Sequence, residues 1–262
     1  MKELARSIFA QADRAEIDNL IQCFADPDPQ IRDDAAFTLW AEGLRGKHLS
    51  PELMRYAGQR LSGVLAAPDD VAGFQRPFAA LALSEIARAD RIDAFLTDAE
   101  LHRLAETGAA YLRAVTDYRG FSAGEGWRHG VAHGADLMLQ LSLNPRLARA
   151  DAELLLGAVA AQVAPGAPVY YVHGEPGRLA APILYLARRA DIDDAAWAAW
   201  FRSLHPNDTA RWKDPYASDA GLSAVHNSTA FANVVYVSAS ESRDPQIRRL
   251  APFAVELLKA LP

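Results

Sequence analysis

Residues 26–44 read DPDPQIRDDAAFTLWAEGL, and residues 242–261 read SRDPQIRRLAPFAVELLKAL. Both hold Asp-Pro-Gln-Ile-Arg and then a segment whose apolar residues recur at spacings of three and four, the period of an amphipathic helix. Asp-Pro makes the turn into the helix. In a HEAT-like repeat the isoleucine would then plug a seam and the arginine would reach back along the stack. No regular period joins the two copies. Outward from them the chain reads as helix after helix, near 2–13, 15–25, 29–43, 50–66, 74–89, 98–115, 122–143, 150–163, 175–189, 193–204, 221–240 and 244–260. Several starts are explicit: Ser50 precedes Pro51 and Glu52, a cap with proline at the first helical position, and Asp98 and Asp151 sit near similar starts. "PVYYV" (168–172) is the one short β-like run, too little for a sheet. Loops are expected at 164–178 and 205–221. The expected fold is all-α, about twelve helices in one domain over 1–262. They form either a HEAT-like superhelix or α-α array, or a more globular bundle.

Composition narrows the function classes. Half of the 262 residues are hydrophobic and the net charge is −6. That balance argues against a general nucleic-acid-binding surface. No run of 18 apolar residues suggests a membrane span, and the charged N-terminal stretch does not read as a signal peptide. Cys23 is the only cysteine. A cytoplasmic setting fits, and Cys23 reads as a small buried hydrophobe. No phosphate loop, dinucleotide fingerprint, Gly-x-Ser-x-Gly elbow or CxxC is present.

The stretch with the most chemistry is GEGWRHGVAHGADLMLQL, residues 124–141. On one helix from about Ser122, at 100° per residue, Glu125, Asp136, His129 and His133 share about 80° of arc. Trp127, Val131, Ala135 and Met138 form the core stripe, with Gly126, Gly130 and Gly134 on the flank between. Interior glycines cost roughly 0.5–1 kcal/mol each relative to alanine. A closely packed neighbouring helix or a ligand should offset that. His129 and His133, at i and i+4, with Asp136 as a third ligand, could hold a divalent metal such as zinc, with water completing a catalytic site. Without metal, either histidine could act as a general base oriented by Asp136 or Glu125. Against this, Ser122 and Glu125 spell an ordinary capping box, and the stretch lacks the glutamate of a His-Glu-x-x-His protease. Upstream, Asp117 and Arg119 precede the glycine-rich turn and could hold an anion at the helix N-terminus or simply pair with each other. "YYVHGEPGRLA" (170–180) adds Glu175 and Arg178. "SAVHNSTAFANVVYV" (223–237) adds His226. Trp197 and Trp200, three apart on one helix, read as core.

In these residues the chain resembles the bacterial domain-of-unknown-function family 2785. The likeness lies in IRDDAAFTLWAEGL (31–44), FQRPFAALAL (74–83) and GEPGRLA (174–180), and most specifically in 117–137. There the family pattern falls on Asp117, Arg119, Gly120, Gly126, Trp127, His129, His133, Ala135 and Asp136, with Arg128 where the family often has alanine. The resemblance implies a helical, cytoplasmic, bacterial protein and carries no activity. The His-Gly turns are also similar to those of lanthipeptide-cyclase-like zinc toroids, without their cysteine ligands. Three readings follow. His129, His133 and Asp136, with Asp117, Arg119, Glu125, Trp127, Glu175, Arg178 and His226, could line a site recognising a small ligand or protein partner. The same His/Asp set could serve a metal-dependent hydrolase. Or the His–Asp network could only lock helices together.

Overall fold

Helix starts are the best-marked features of this chain, because a cap needs only neighbouring residues. In the computed structural model, which describes residues 2–68, 70–205 and 210–262, the Ser50 hydroxyl accepts the Leu53 N–H at 3.2 Å and proline holds the first turn of its helix. Thr97 and Glu100 form a reciprocal capping box ahead of the Asp98 helix. Such caps contribute roughly 1 kcal/mol each.

The fold is all-α. It divides into two compact units, Met1–Ala148 and Arg149–Pro262, within the span read as one domain. The first unit contains α1 (Lys2–Phe9), α2 (Arg14–Cys23), a widened π-helical run (Gln30–Phe37) continuing into α3 (Thr38–Arg45), α4 (Pro51–Ala66), α5 (Gln75–Ile92), α6 (Asp98–Ala114) and α7 (Gly130–Ser142). Helix α5 lies at its centre, against α3, α4 and α7, and α7 also packs on α6. Phe78, Leu83 and Ile86 of α5 are buried, as is Trp40 of α3, whose indole N–H donates to the Ala82 carbonyl at 3.0 Å. Burial of each such side chain contributes roughly 1.5–3 kcal/mol.

The second unit contains α8 (Arg149–Val163), α9 (Glu175–Leu186), α10 (Asp194–Ser203), α11 (Ala210–Lys213), a 3₁₀ turn (Pro215–Ala217), α12 (Asp219–Glu241), α13 (Pro245–Arg248) and α14 (Ala251–Ala260). Here the long α12 is the hub, packing against α8, α9 and α14. "PVYYV" forms no strand. Asn227 of α12 clamps it, accepting the Tyr171 N–H and donating to the Val169 carbonyl, both at 2.9 Å. Trp197 and Trp200 do pack together edge to face. Of the loop expected over 205–221, residues 206–209 lie outside the described residues and the rest is largely helical.

The two Asp-Pro-Gln-Ile-Arg copies share their turn and little else. Asp28 accepts the Gln30 N–H and Asp244 the Gln246 N–H, each at 2.9 Å. The first copy then runs into the π-helical segment with Arg32 wholly buried, the second into the four residues of α13 with Arg248 exposed. Ile31 plugs no seam, being exposed, and Cys23 is half-buried, not in the core. No helix among the described residues is long and apolar enough to cross a membrane.

Candidate functional site

The helix expected over 122–143 begins only at Gly130. Residues 121–127 form instead a small antiparallel hairpin, β1 (Phe121–Ser122) and β2 (Gly126–Trp127), with Phe121 opposite Trp127. Gly124 and Gly126 have φ of +90° and +74°, values an α-helix does not contain. The regular glycine spacing therefore had two causes. Gly124 and Gly126 bend the hairpin. Gly130 and Gly134 lie on α7 against α6, where a Cβ on Gly134 would stand 3.0 Å from Leu112 Cδ1 and 3.2 Å from Tyr111 Cε1. Close helix packing offsets their cost. The helical face shared by Glu125, His129, His133 and Asp136 does not exist, because Glu125 sits in the hairpin turn. Its carboxylate accepts the Ser122 hydroxyl at 2.9 Å, so the expected capping box is a turn contact.

What holds the hairpin is a pair of buried arginines, neither of which the sequence reading counted among the site residues. Arg32 Nη1 donates to the Asp26 carbonyl at 2.8 Å, and Nη2 to the Glu125 carbonyl at 2.7 Å. Arg128 Nε donates to the Ala72 carbonyl at 2.8 Å, and its terminal nitrogens meet both Glu125 oxygens at 3.1 and 3.3 Å. Both guanidinium carbons lie over the Phe74 ring, each 4.1 Å from its centroid. Asp33, 2.7 Å from Arg32 Nε, also accepts the Trp127 backbone N–H. Burial pushes the Asp33 carboxyl up, against the Arg32 charge and these hydrogen bonds. The Glu125 carboxyl is held below its ordinary range by Arg128 and Ser122.

The histidines do meet. The Trp127 ring stacks on His129 at 4.6 Å between centroids and 22° between planes. His129 meets His133 at 5.7 Å, and His133 meets Phe78 edge to face at 5.1 Å. An aromatic file thus runs from the exposed Trp127 through two buried histidines to the core of α5. Asp136 follows on α7 and is half-buried. Among the described residues no group of three or more His, Cys, Asp or Glu side chains is disposed to hold a metal ion.

His129 precedes α7 with φ 58° and ψ 40°, the left-handed region that costs a non-glycine residue roughly 1–2 kcal/mol. Its N–H donates to the Arg119 carbonyl at 3.0 Å, and its carbonyl accepts the His133 N–H at 2.9 Å. His129→Gly and His129→Ala both remove the stack on Trp127, but only glycine relieves the backbone. The alanine variant should therefore be less stable than the glycine variant by about 1 kcal/mol in urea denaturation. Equal stabilities would show that the residue is not held in this conformation.

Asp117 and Arg119 do pair with each other. They form a forked ion pair, with Arg119 Nε at 2.9 Å and 3.1 Å from the two carboxylate oxygens. Burial pushes Asp117 up, but hydrogen bonds from Arg119 and the charges of Arg119 and Arg128 outweigh it, so the carboxyl ends below its ordinary range. A depressed folded-state pKa contributes stability in full above the unfolded value, about 3.9, and the contribution is lost as pH falls through the folded value. The gap in melting temperature between wild type and Asp117→Asn should accordingly be open at pH 6 and close as the medium is acidified below about pH 3.9. A gap that stays constant would rule this linkage out.

Glu175, Arg178 and His226 belong to the second unit. Glu175 is buried at the start of α9 and accepts the His173 N–H at 2.9 Å. Arg178 is exposed one turn later. The His226 ring meets Tyr170 edge to face at 5.5 Å on the surface of α12.

The comparison of the chain with known families bears on this geometry. A family model described as a protein of unknown function, DUF2785, matches residues 61–237. The chain belongs to this family. The DUF2785 match takes in the hairpin, α7 and all the sequence-predicted site residues from Asp117 to His226, while Arg32 and Asp33 fall outside it. No curated protein and no solved structure matches the chain.

Proposed function

We propose that this DUF2785 chain is a recognition protein, and that the Phe121–Trp127 face, with His129 beneath it, contacts a small ligand or a protein partner. The observation that carries this reading is the exposure of two aromatic side chains side by side, 5.2 Å between centroids, on a hairpin whose backbone is fixed by buried arginines. Large aromatic rings on a rigid support are the groups that dominate binding energy at interfaces. A short, well-anchored loop is the usual place to present them. The groups of the site that meet solvent are suited to contact, whereas the histidines that would do acid–base or metal chemistry are covered by Trp127 and Phe78. The reading treats the chain as a cytoplasmic, helical-repeat-like scaffold, supported by the single cysteine and the shared Asp-Pro-Gln turns.

Indole N–H resonances test it. Each tryptophan gives one signal, and Trp127→Phe assigns the site. Screening small molecules and peptides should yield ligands that move the Trp127 signal and leave that of buried Trp40 in place. Ligands that bind this chain and leave Trp127 unmoved would overturn the reading. Stoichiometric zinc, manganese or iron per chain, lost in His129→Ala/His133→Ala, would favour the metal-dependent hydrolase in its place.

A further inference from the structure

Each ion pair that anchors the hairpin is turned the same way. The Arg32 side chain is 0% exposed and its partner Asp33 24%. The Arg128 side chain is 7% exposed and its partner Glu125 53%. The cations face the Phe74 ring and the carboxylates face outward. Asp34, exposed, follows Asp33, and Asp28 is exposed in the turn whose Pro29 abuts Gly126. On the other flank the exposed Arg119 is already forked onto Asp117. Solvent therefore meets carboxylates around two aromatic rings, Phe121 at 52% and Trp127 at 37% exposure.

We propose that the partner of this face is a basic segment of another protein, whose lysine or arginine side chains lie against Phe121 and Trp127 within the rim formed by Asp28, Asp33, Asp34 and Glu125. The proposal rests on the recognition reading above and supplies the chemistry of the partner. An aromatic face attracts a cation through its quadrupole, and the surrounding carboxylates add attraction of the same sign. Both rings keep exposed surface, and a lone small cation can cover only part of it at a time. An extended segment carrying several cations can span both rings and the rim at once.

Fluorescence anisotropy with three labelled twelve-residue peptides, one basic, one neutral and one acidic, tests this on the full chain. The basic peptide alone should bind, with affinity that falls as salt is raised. Trp127→Ala and Phe121→Ser should each weaken it at least about fivefold, the size expected on removing an aromatic contact to a cation with its packing. Asp34→Lys, at an exposed position, should weaken it several-fold, and Glu153→Lys, on α8 of the second unit, by less than twofold. Melting curves of each variant separate lost binding from lost folding. Equal losses in Asp34→Lys and Glu153→Lys would reduce the effect to the overall net charge and overturn the proposal. Absence of basic-peptide binding to wild type would overturn it too. A neutral or acidic peptide that binds and depends on Trp127 would sink the basic partner while leaving the recognition reading standing.

Discussion

Arg32→Ala is expected to lower stability by about 3–5 kcal/mol, the range for breaking one side of a buried ionic site. The reason is the number of groups stranded at once. The side chain is wholly buried, serves the carbonyls of Asp26, Pro27 and Glu125, pairs with Asp33, and stacks on Phe74 and Phe78. Alanine leaves three carbonyls without this donor and a cavity beside two aromatic rings. Arg32→Lys should recover little, since one ammonium cannot spread a planar fork over three carbonyls and lie flat on a ring. Arg32→Met should fall between alanine and wild type, because it refills the volume and because Asp33 retains some access to water. Urea denaturation with a common m-value measures all three. A loss below about 1 kcal/mol for the alanine variant would show that the hairpin does not depend on this anchor. Since Glu125 is one of the groups Arg32 holds, the same variant should raise amide exchange across 121–128 ahead of the α5 core.

Arg32 also shows where sequence reasoning stops. Its own segment was legible as an Asp-Pro turn into a helix, because the Asp28 side chain bonds two residues away. That the arginine would be buried was not legible, because the carbonyl that draws it inward belongs to Glu125, 93 residues along the chain. The caps at Ser50 and Thr97 were readable for the same reason that the Asp28 turn was: donor and acceptor lie within three residues.

The hairpin failed the opposite way, by imitating a helix locally. Glycines at 126, 130 and 134 keep a spacing of four through both structures, and Ser122 with Glu125 satisfies the pattern of a cap while making a turn contact. The positive φ of Gly124, Gly126 and His129 separates the two readings, and the sign of φ is not written in a residue's name. His129 and His133 do come together, but by an edge-to-face contact across the start of α7, not as two positions on one continuous face. Trp127, assigned to a core stripe by the helical wheel, is exposed and carries the surface on which the functional reading rests.

The second large effect is expected far from that surface. Asp90, on α5, is buried and accepts four hydrogen bonds: Oδ1 takes the backbone N–H groups of Phe95 and Leu96 at 2.9 and 2.8 Å, and Oδ2 takes Asn144 Nδ2 at 2.9 Å and Arg146 Nη2 at 2.7 Å. One carboxylate thus ties the turn after α5 to the turn after α7. Asp90→Ala strands two half-buried amide N–H groups and the buried Asn144 amide, and should cost about 3–5 kcal/mol. Asp90→Asn should be nearly as damaging: whichever way its amide is turned, the NH₂ group faces two donors. Arg146 keeps the Leu96 carbonyl at 2.9 Å and Asp98 at 3.2 Å, so the loss comes chiefly from the groups that keep no partner. The decisive comparison sets this variant beside Arg32→Ala at matched stability. Asp90→Ala leaves every contact of the hairpin intact, so at a temperature where both remain folded it should retain binding at Trp127 that Arg32→Ala loses. If the two variants lose binding equally, recognition follows global stability and not the anchored aromatic face.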